Sequence, residues 1–414
     1  MTFLQVASIL ITLTALFSFI NYRWIRLPTT IGVMLIAMIT SLALIAIGSF
    51  EHSFRDRAAA LVAGIDFENL LLHCMLAFLL FAGALHLDVN ELARQWLSIS
   101  VLAIVGTVAS TFLVATGLHV TMGWLNISLP MIHCLLFGAL ISPTDPIAVL
   151  GMLKQAKAVK SLQTLLAGES LFNDGVGVVI FLVLLTLLRS QHAMSYPHIA
   201  LLFIEQALGG AGLGLAAGFL AYLMLKFIDN YQVEVLVTLA LCMGGYALAE
   251  AVGVSAPIAI VVAGLLIGNH GRHFAMSEKS REHLDMFWEL IDEILNAFLF
   301  LLLGLQLLVI PFPHGFLLAA LIAIALTLLT RLLTVGVLMA ILQPYSPFAM
   351  PTVMLLTWGG LRGGLAVAMA LAIPQSPYRN LLLTLTYSVV VFAVIVQGLT
   401  MPKLISLLRT PTSN

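Results

Sequence analysis

Apolar runs of about twenty residues recur along this chain from one end to the other. A run of that length spans the roughly 30 Å hydrocarbon core of a bilayer as an α-helix. In lipid every backbone polar group must be satisfied internally, which leaves helices and closed barrels as spanning structures. Runs this long, without polar alternation, are helical, so the expected fold class is an all-α polytopic membrane protein. Composition agrees where it bears on the point: 61% of residues are hydrophobic and 9% charged, against about 25% charged in ordinary soluble domains. Mean hydropathy is +1.10. A net charge of −1 offers no basic face to a nucleic acid. Cys74, Cys134 and Cys242 lie singly in apolar runs, a pattern that suggests neither a disulfide framework nor a zinc site.

Thirteen spans are expected, at 4–20, 29–49, 67–88, 94–118, 130–153, 161–188, 199–225, 233–252, 256–270, 284–309, 315–342, 349–372 and 380–408. The first lacks a basic leader and a cleavage site and is read as mature sequence. The longest polar stretches, 50–66 and 271–283, read as loops, and no cytosolic regulatory tail is expected. With the N-terminus outside, the inner loops hold Arg23, Arg26, Arg94, Lys154, Lys157, Lys160, Lys226, Arg272, Lys279, Arg281, Lys403 and Arg409. The outer loops hold only Arg55, Arg57, Arg189 and Arg379. That bias fixes N-out and C-in for an odd count.

Two basic residues remain, Arg331 and Arg362, and both fall inside spans, as do Asp145, Glu169 and Asp174. A charge at the bilayer centre costs about 2.5–3.5 kcal/mol on insertion scales and marks function by default. Three acids facing two bases describe a buried polar cluster. In Ser142-Pro143-Thr144-Asp145-Pro146 each proline removes a backbone donor and frees a carbonyl four residues earlier, at Ala139 and Ser142. Carbonyls, the Thr144 hydroxyl and the Asp145 carboxylate then form an oxygen-rich break suited to a hard cation. A proline kink whose Asp145 merely caps the next half-helix is the competing account. In Gly168-Glu169-Ser170-Leu171-Phe172-Asn173-Asp174-Gly175, Glu169 and Asn173 share one helix face, and Ser170 and Asp174 share a neighbouring one. Asp174 is a carboxylate able to hold a proton or a cation, the requirement for exchange. In Trp358-Gly359-Gly360-Leu361-Arg362-Gly363-Gly364 two interleaved GxxxG spacings allow close helix approach, while four glycines in six residues weaken the helix itself. Arg362 is available to half-helix dipoles or to an acid, and a packing seam with an incidental arginine is the competing account. Arg331 has only threonines nearby (Thr327, Thr330, Thr334) and needs a partner on another helix; Glu169 is the acid nominated. The broken spans are the fifth and twelfth. If spans 1–6 and 8–13 are repeats joined by span 7, the breaks correspond and the repeats are inverted, with two broken helices crossing.

These motifs, taken in order, resemble the NhaP/NHE-type monovalent cation:proton antiporters, the sodium/hydrogen exchangers. The likeness rests on Ser142–Pro146, Glu169–Asp174 and Gly360-Leu361-Arg362-Gly363, and extends to Phe81–Asp88. It implies a homodimer with a dimerisation domain (1–93 and 189–310, helices 1–3 and 7–10). It also implies a core ion-translocation domain (94–188 and 311–414, helices 4–6 and 11–13). Asp174 would be the shared proton and cation site, with Asp145, Thr144 and Ser170 near the ion. Asn173 stands where electrogenic relatives carry a second aspartate, which implies electroneutral one-for-one exchange. Glu169 with an intramembrane arginine would hold Asn173; the family pattern favours Arg331, with Arg362 the other candidate.

The implied substrates are sodium, lithium or potassium and the proton, with the bilayer as the surrounding partner and a bacterial inner membrane as the place. No cofactor, resident metal, enzyme activity or ATP motor is expected, since no nucleophile–base pair, metal-ligand set or nucleotide motif occurs in the spans. An uncoupled cation channel would want a continuous pore, where two broken helices suit alternating access. An organic-anion symporter on a similar scaffold would want uncompensated positive charge, and here acids outnumber bases. His73, His119, His133, His192 and His198 lie in or near spans and read as interfacial or core residues.

Overall fold

The structure is a computed structural model, and it describes residues 3–48, 59–60, 62, 64–156, 158–189, 196–271, 276–310, 314–344 and 350–408. Arg55, Arg57, Lys157, His192, Arg272 and Arg409 lie outside the described residues. The described chain is helical almost throughout. In order the longer helices, leaving aside the short helix Val89–Arg94, are α1 (Phe3–Ile20), α2 (Thr29–Gly48), α3 (Phe67–Leu85), α4 (Trp96–Trp124) and the split pair α5a (Met131–Ile141) and α5b (Ile147–Gln155). Then come α6 (Lys160–Arg189), α7 (Tyr196–Lys226), α8 (Tyr231–Val252), α9 (Ala256–Gly271) and α10 (Glu278–Leu305). The last are α11 (Leu317–Leu342), the split pair α12a (Met350–Gly359) and α12b (Gly364–Leu371), and α13 (Arg379–Leu407). Ten described helices are long and apolar enough to cross a membrane. The protein is an integral membrane protein.

Local chemistry accounts for the sharper boundaries. Asn230 caps α8 by accepting from the Gln232 and Val233 amides, and Gly253, at φ 81°, ends it in the left-handed conformation. Ser255 then caps α9, with Pro257 in its first turn, where a missing N–H costs nothing. The hairpin leaves no slack, and α9 is short because it is enclosed by protein. It packs against α3, α7 and α8 through small residues: a Cβ on Gly214 would overlap the Ala259 backbone, and one on Gly268 would overlap Leu85. Backbone-to-backbone approach of this kind drives helix association where lipid removes the hydrophobic incentive. Asn269 closes the far end of α9, accepting from the Val89 amide at 2.8 Å and donating to the Leu87 carbonyl at 3.0 Å.

The packing falls into two groups. α2 lies against α10, with the Ser41 hydroxyl donating to the Gly304 carbonyl at 3.0 Å. α3, α7 and α8 gather round α9, and α10 packs on α3 and α8. In the second group α4 packs on α5a and α11, α6 on α5a, and α13 on α11 and α12b. α6 runs for 30 residues, about 45 Å, and faces both groups through α5a and α9.

The structure decides between the two readings of the 359–364 glycines: they form the expected break and not a helix-packing seam. Residues 360–363 are not helical, and the glycines face α5b, α6, α10, α11, α13 and the gap in α5. Gly359 faces Met401, Val149 and Leu166; Gly360 faces Arg331 and Thr144; Gly363 faces Asp145; Gly364 faces Leu299. Four glycines in six residues destabilise the helix itself, and the break takes precedence over the spacing motif.

Candidate functional site

The gaps in α5 and α12 meet. The Asp145 amide donates to the Leu361 carbonyl at 2.8 Å, a single antiparallel bridge between two otherwise helical segments. Pro143 and Pro146 enforce the first gap and the glycines permit the second. Backbone groups freed at mid-membrane need partners, and Arg362 supplies them. Its Nη1 donates to the Ser142 carbonyl at 2.8 Å and to the Pro143 carbonyl at 2.7 Å. The freed carbonyl expected at Ser142 is therefore bound to a guanidinium, and Pro143 joins it.

Around this crossing the structure brings together most of the residues singled out in the sequence. Thr144 is held from α6 on three sides. Its amide donates to Asn173 Oδ1 at 3.2 Å, its hydroxyl accepts from Asn173 Nδ2 at 2.9 Å, and its carbonyl accepts from the Ser170 hydroxyl. Asp145 Oδ1 accepts from the Ile147 amide at 3.1 Å. Asp145 thus does cap α5b, as the simpler account had it, but with one oxygen only. The other oxygen points at Gly363, where a Cβ would collide with it. Asp174 sits one turn beyond Ser170, partly accessible, within electrostatic reach of both Asp145 and Arg362. It has no hydrogen bond among the described residues.

Glu169 and Arg331 form a buried, two-armed ion pair, with Nη1 to Oε1 at 2.5 Å and Nη2 to Oε2 at 3.0 Å. The geometry settles the choice between the two arginines in favour of Arg331. The same guanidinium donates to the Leu356 carbonyl of α12a, so one cluster ties α6, α11 and α12a together. Glu169 does not bond Asn173. Both amide atoms of Asn173 go to Thr144, and the ion pair acts on Asn173 only through the placement of α6.

The charges form two sets. Glu169 and Arg331 neutralise each other at a distance from Asp174. Arg362 lies within electrostatic reach of that pair as well as of Asp174, and Asp174 within reach of Asp145. With Glu169 and Arg331 cancelling, two acids and one base remain, one unbalanced negative charge among hydroxyl, amide and carbonyl oxygens.

Sequence reasoning passed over one acid. Asp292 of α10, partly exposed, lies within electrostatic reach of Asp145 and of Lys154 at the end of α5b, beside buried Asn296 one turn on. Its signal was hidden by the acids that precede it on α10 (Glu278, Glu282, Asp285, Glu289), which make the region look like a solvated helix end. The spacing of Asp292 and Asn296 places both on one face, and that was the available clue.

Comparison with known proteins fits the same picture. The family model described as sodium/hydrogen exchanger, transmembrane, matches residues 9–406. The chain belongs to the sodium/hydrogen exchanger family. It is 46% identical over 407 residues to the Na(+)/H(+) antiporter NhaP of Pseudomonas aeruginosa, covering 97% of this chain and 96% of that one. It is 31% identical over 388 residues to the antiporter NhaH of Halobacillus dabanensis, with 92% of each chain covered. The structure of the sodium proton antiporter MjNhaP1 from Methanocaldococcus jannaschii at pH 8 superposes with a TM-score of 0.74. It is 20% identical in sequence, and the match covers 96% of both chains. That likeness places the exchanger in the antiporter fold. The family is one of transporters.

Proposed function

We propose that this exchanger moves one monovalent cation, sodium foremost, against one proton, with both ligands competing for Asp174. The observation that carries the reading is the charge balance at the crossing: two carboxylates, Asp145 and Asp174, face one guanidinium, Arg362. One further positive charge completes neutrality, and a proton or a dehydrated sodium ion supplies it equally well. A site that is neutral in either loaded form and charged when empty crosses the membrane only when loaded, because an uncompensated charge is costly in lipid. Asn173, neutral, adds nothing to the balance, which makes the exchange electroneutral. Asp145, Asp174 and the oxygens of Thr144 and Ser170 would surround the cation, Asn173 would position Thr144, and Glu169, Arg331 and Arg362 would hold the broken helices in place.

Movement is assigned to α4–α6 with α11–α13 (94–188 and 311–414), shifting against α1–α3 with α7–α10 (1–93 and 189–310). The latter group would pair with a second copy to make a homodimer. The crossed breaks confined to one of these groups support this division, and we take the thirteen spans as two inverted six-helix repeats joined by α7. The basic-residue bias supports N-out and C-in. A role in sodium extrusion or pH homeostasis at a bacterial inner membrane follows from that arrangement. No ATP or cofactor is invoked.

The test is cation-driven collapse of an imposed pH gradient in proteoliposomes, with sodium, lithium and potassium offered separately and the voltage clamped by potassium and valinomycin or left free. Saturable exchange insensitive to the clamp is expected, and Asp174→Asn should abolish it while the protein remains folded. Exchange driven by voltage would overturn electroneutrality. Normal exchange by Asp174→Asn would remove Asp174 from the mechanism.

A further inference from the structure

We propose that the recess between the end of α1 and the start of α2 binds the phosphate headgroup of an anionic phospholipid. It has a volume of about 600 Å³ and is lined by Ser18, Asn21, Tyr22, Arg23, Arg26 and Thr29, well within the usual range of small-molecule pockets, roughly 300–1,000 Å³. Arg23 and Arg26 are the first charged residues of the chain, and no acid precedes Glu51. Neither arginine forms an ion pair among the described residues. Two exposed guanidiniums thus face one recess, lined also by Leu27, with nothing to neutralise them, and guanidinium is the side chain best matched to phosphate oxygens.

The recess is held in shape. Asn21 is buried, and its amide clasps Leu27 from both sides, donating to the carbonyl at 2.8 Å and accepting from the amide at 3.2 Å. The Arg26 amide donates to the Asn21 carbonyl at 2.6 Å. Gly32 is where a Cβ would run into the Asn21 amide. Arg26 itself adopts φ 61°, a left-handed conformation unusual for a residue with a Cβ and of the kind that clusters at ligand sites. A clamp fixed in advance loses little freedom on binding.

The surroundings choose a lipid over a soluble phosphate ester. The recess opens beside an exposed aromatic flank, with Tyr22 84% and Trp24 66% exposed and Phe19 edge-on to Trp24 at 5.8 Å between ring centres. Amphipathic rings concentrate at headgroup depth, and basic pockets between spanning helices at that depth take anionic headgroups. The apolar face of α1 continues from the flank through exposed Leu16, where an acyl chain would lie.

The experiment follows the melting temperature of the full chain, purified in detergent, during titration with phosphatidylglycerol, phosphatidylcholine or sn-glycerol 3-phosphate. Phosphatidylglycerol should stabilise the wild-type protein saturably, while phosphatidylcholine and the soluble ester should not. Each arginine beside an anionic headgroup contributes roughly fivefold in affinity, so R23Q/R26Q should bind phosphatidylglycerol about 25-fold more weakly. R23Q alone, which disturbs no bond of the loop, should bind about fivefold more weakly by the same reasoning, and R23K/R26K should recover part of the loss. An equal response in wild type and R23Q would overturn the site. A response to sn-glycerol 3-phosphate matching that to the lipid would overturn the lipid as its occupant.

Discussion

The Glu169–Arg331 pair sets how the rest of the site is held. Both side chains are buried, at 1% and 7% exposure, and their charges satisfy one another and the Leu356 carbonyl. Removing one partner strands the other in a medium that cannot solvate it, at a cost of about 3–5 kcal/mol. Arg331→Gln and Glu169→Gln should therefore each lower the melting temperature of the purified protein sharply. The double variant should lose less than the sum, because no charge is stranded. Additive losses in that cycle would mean the two do not depend on each other. The five intramembrane charges were legible in the sequence because hydropathy isolates a charge in an apolar run. Which arginine takes Glu169 was not legible, since the choice depends on how α11 lies against α6. Asp292 was missed for the converse reason. In a run of acids along one amphipathic helix, sequence alone gives no measure of which acid turns toward Asp145.

At the level of elements, the two broken helices had unequal signals. Pro143 and Pro146 announce a gap because each deletes a hydrogen bond that a continuous helix needs, and the structure puts the gap at those residues. Gly359 to Gly364 carried two meanings, close packing or weakened helix, and only the crossing partner decides between them. Glycine is required at 360 and 363 for reasons of space: the Arg331 guanidinium lies 2.8 Å and Thr144 Cγ2 3.2 Å from where a Gly360 Cβ would stand, and Asp145 occupies the corresponding position at Gly363. Gly363→Ala should push the Asp145 carboxylate away from the crossing. Overpacking of this kind costs about 1–3 kcal/mol. If all of it falls on cation binding, half-saturating sodium rises roughly 5- to 150-fold. Gly360→Ala should act mainly on stability, since it displaces the Arg331 side chain that binds Glu169. Sodium titration of the exchange rate and thermal melting of each variant separate the two effects, and matching profiles for the two alanines would contradict the assignment.

At the scale of the whole molecule, burial is uneven around the crossing. Asp145, Pro146, Ile147 and Asp174 are partly accessible, whereas Ser142, Thr144 and Arg362 are buried. Asp292 is partly accessible and lies within electrostatic reach of both Lys154 and Asp145. In the proposed orientation the end that holds the α5b C-terminus and the α10 N-terminus is cytoplasmic, and entry of the cation from that end is the case the following variant tests. Asp292 belongs to α10, in the group of helices assigned to stay still, while Asp145 and Asp174 belong to the group assigned to move. Its charge should act on the cation only while the site is open to this end. Asp292 is partly exposed, and under water-like screening a unit charge about 4 Å off is worth on the order of 1 kcal/mol, or roughly fivefold in affinity. Asp292→Asn should then raise half-saturating sodium about fivefold when sodium is supplied from the cytoplasmic face of oriented vesicles, and leave it unchanged from the opposite face. Maximal exchange should survive, since Asp292 does not bond the cation's ligands. An equal rise from both faces would mean that α10 travels with the site, and the division into a moving and a static group would have to be redrawn. No rise from either face would separate the acidic face of α10 from the path of the ion.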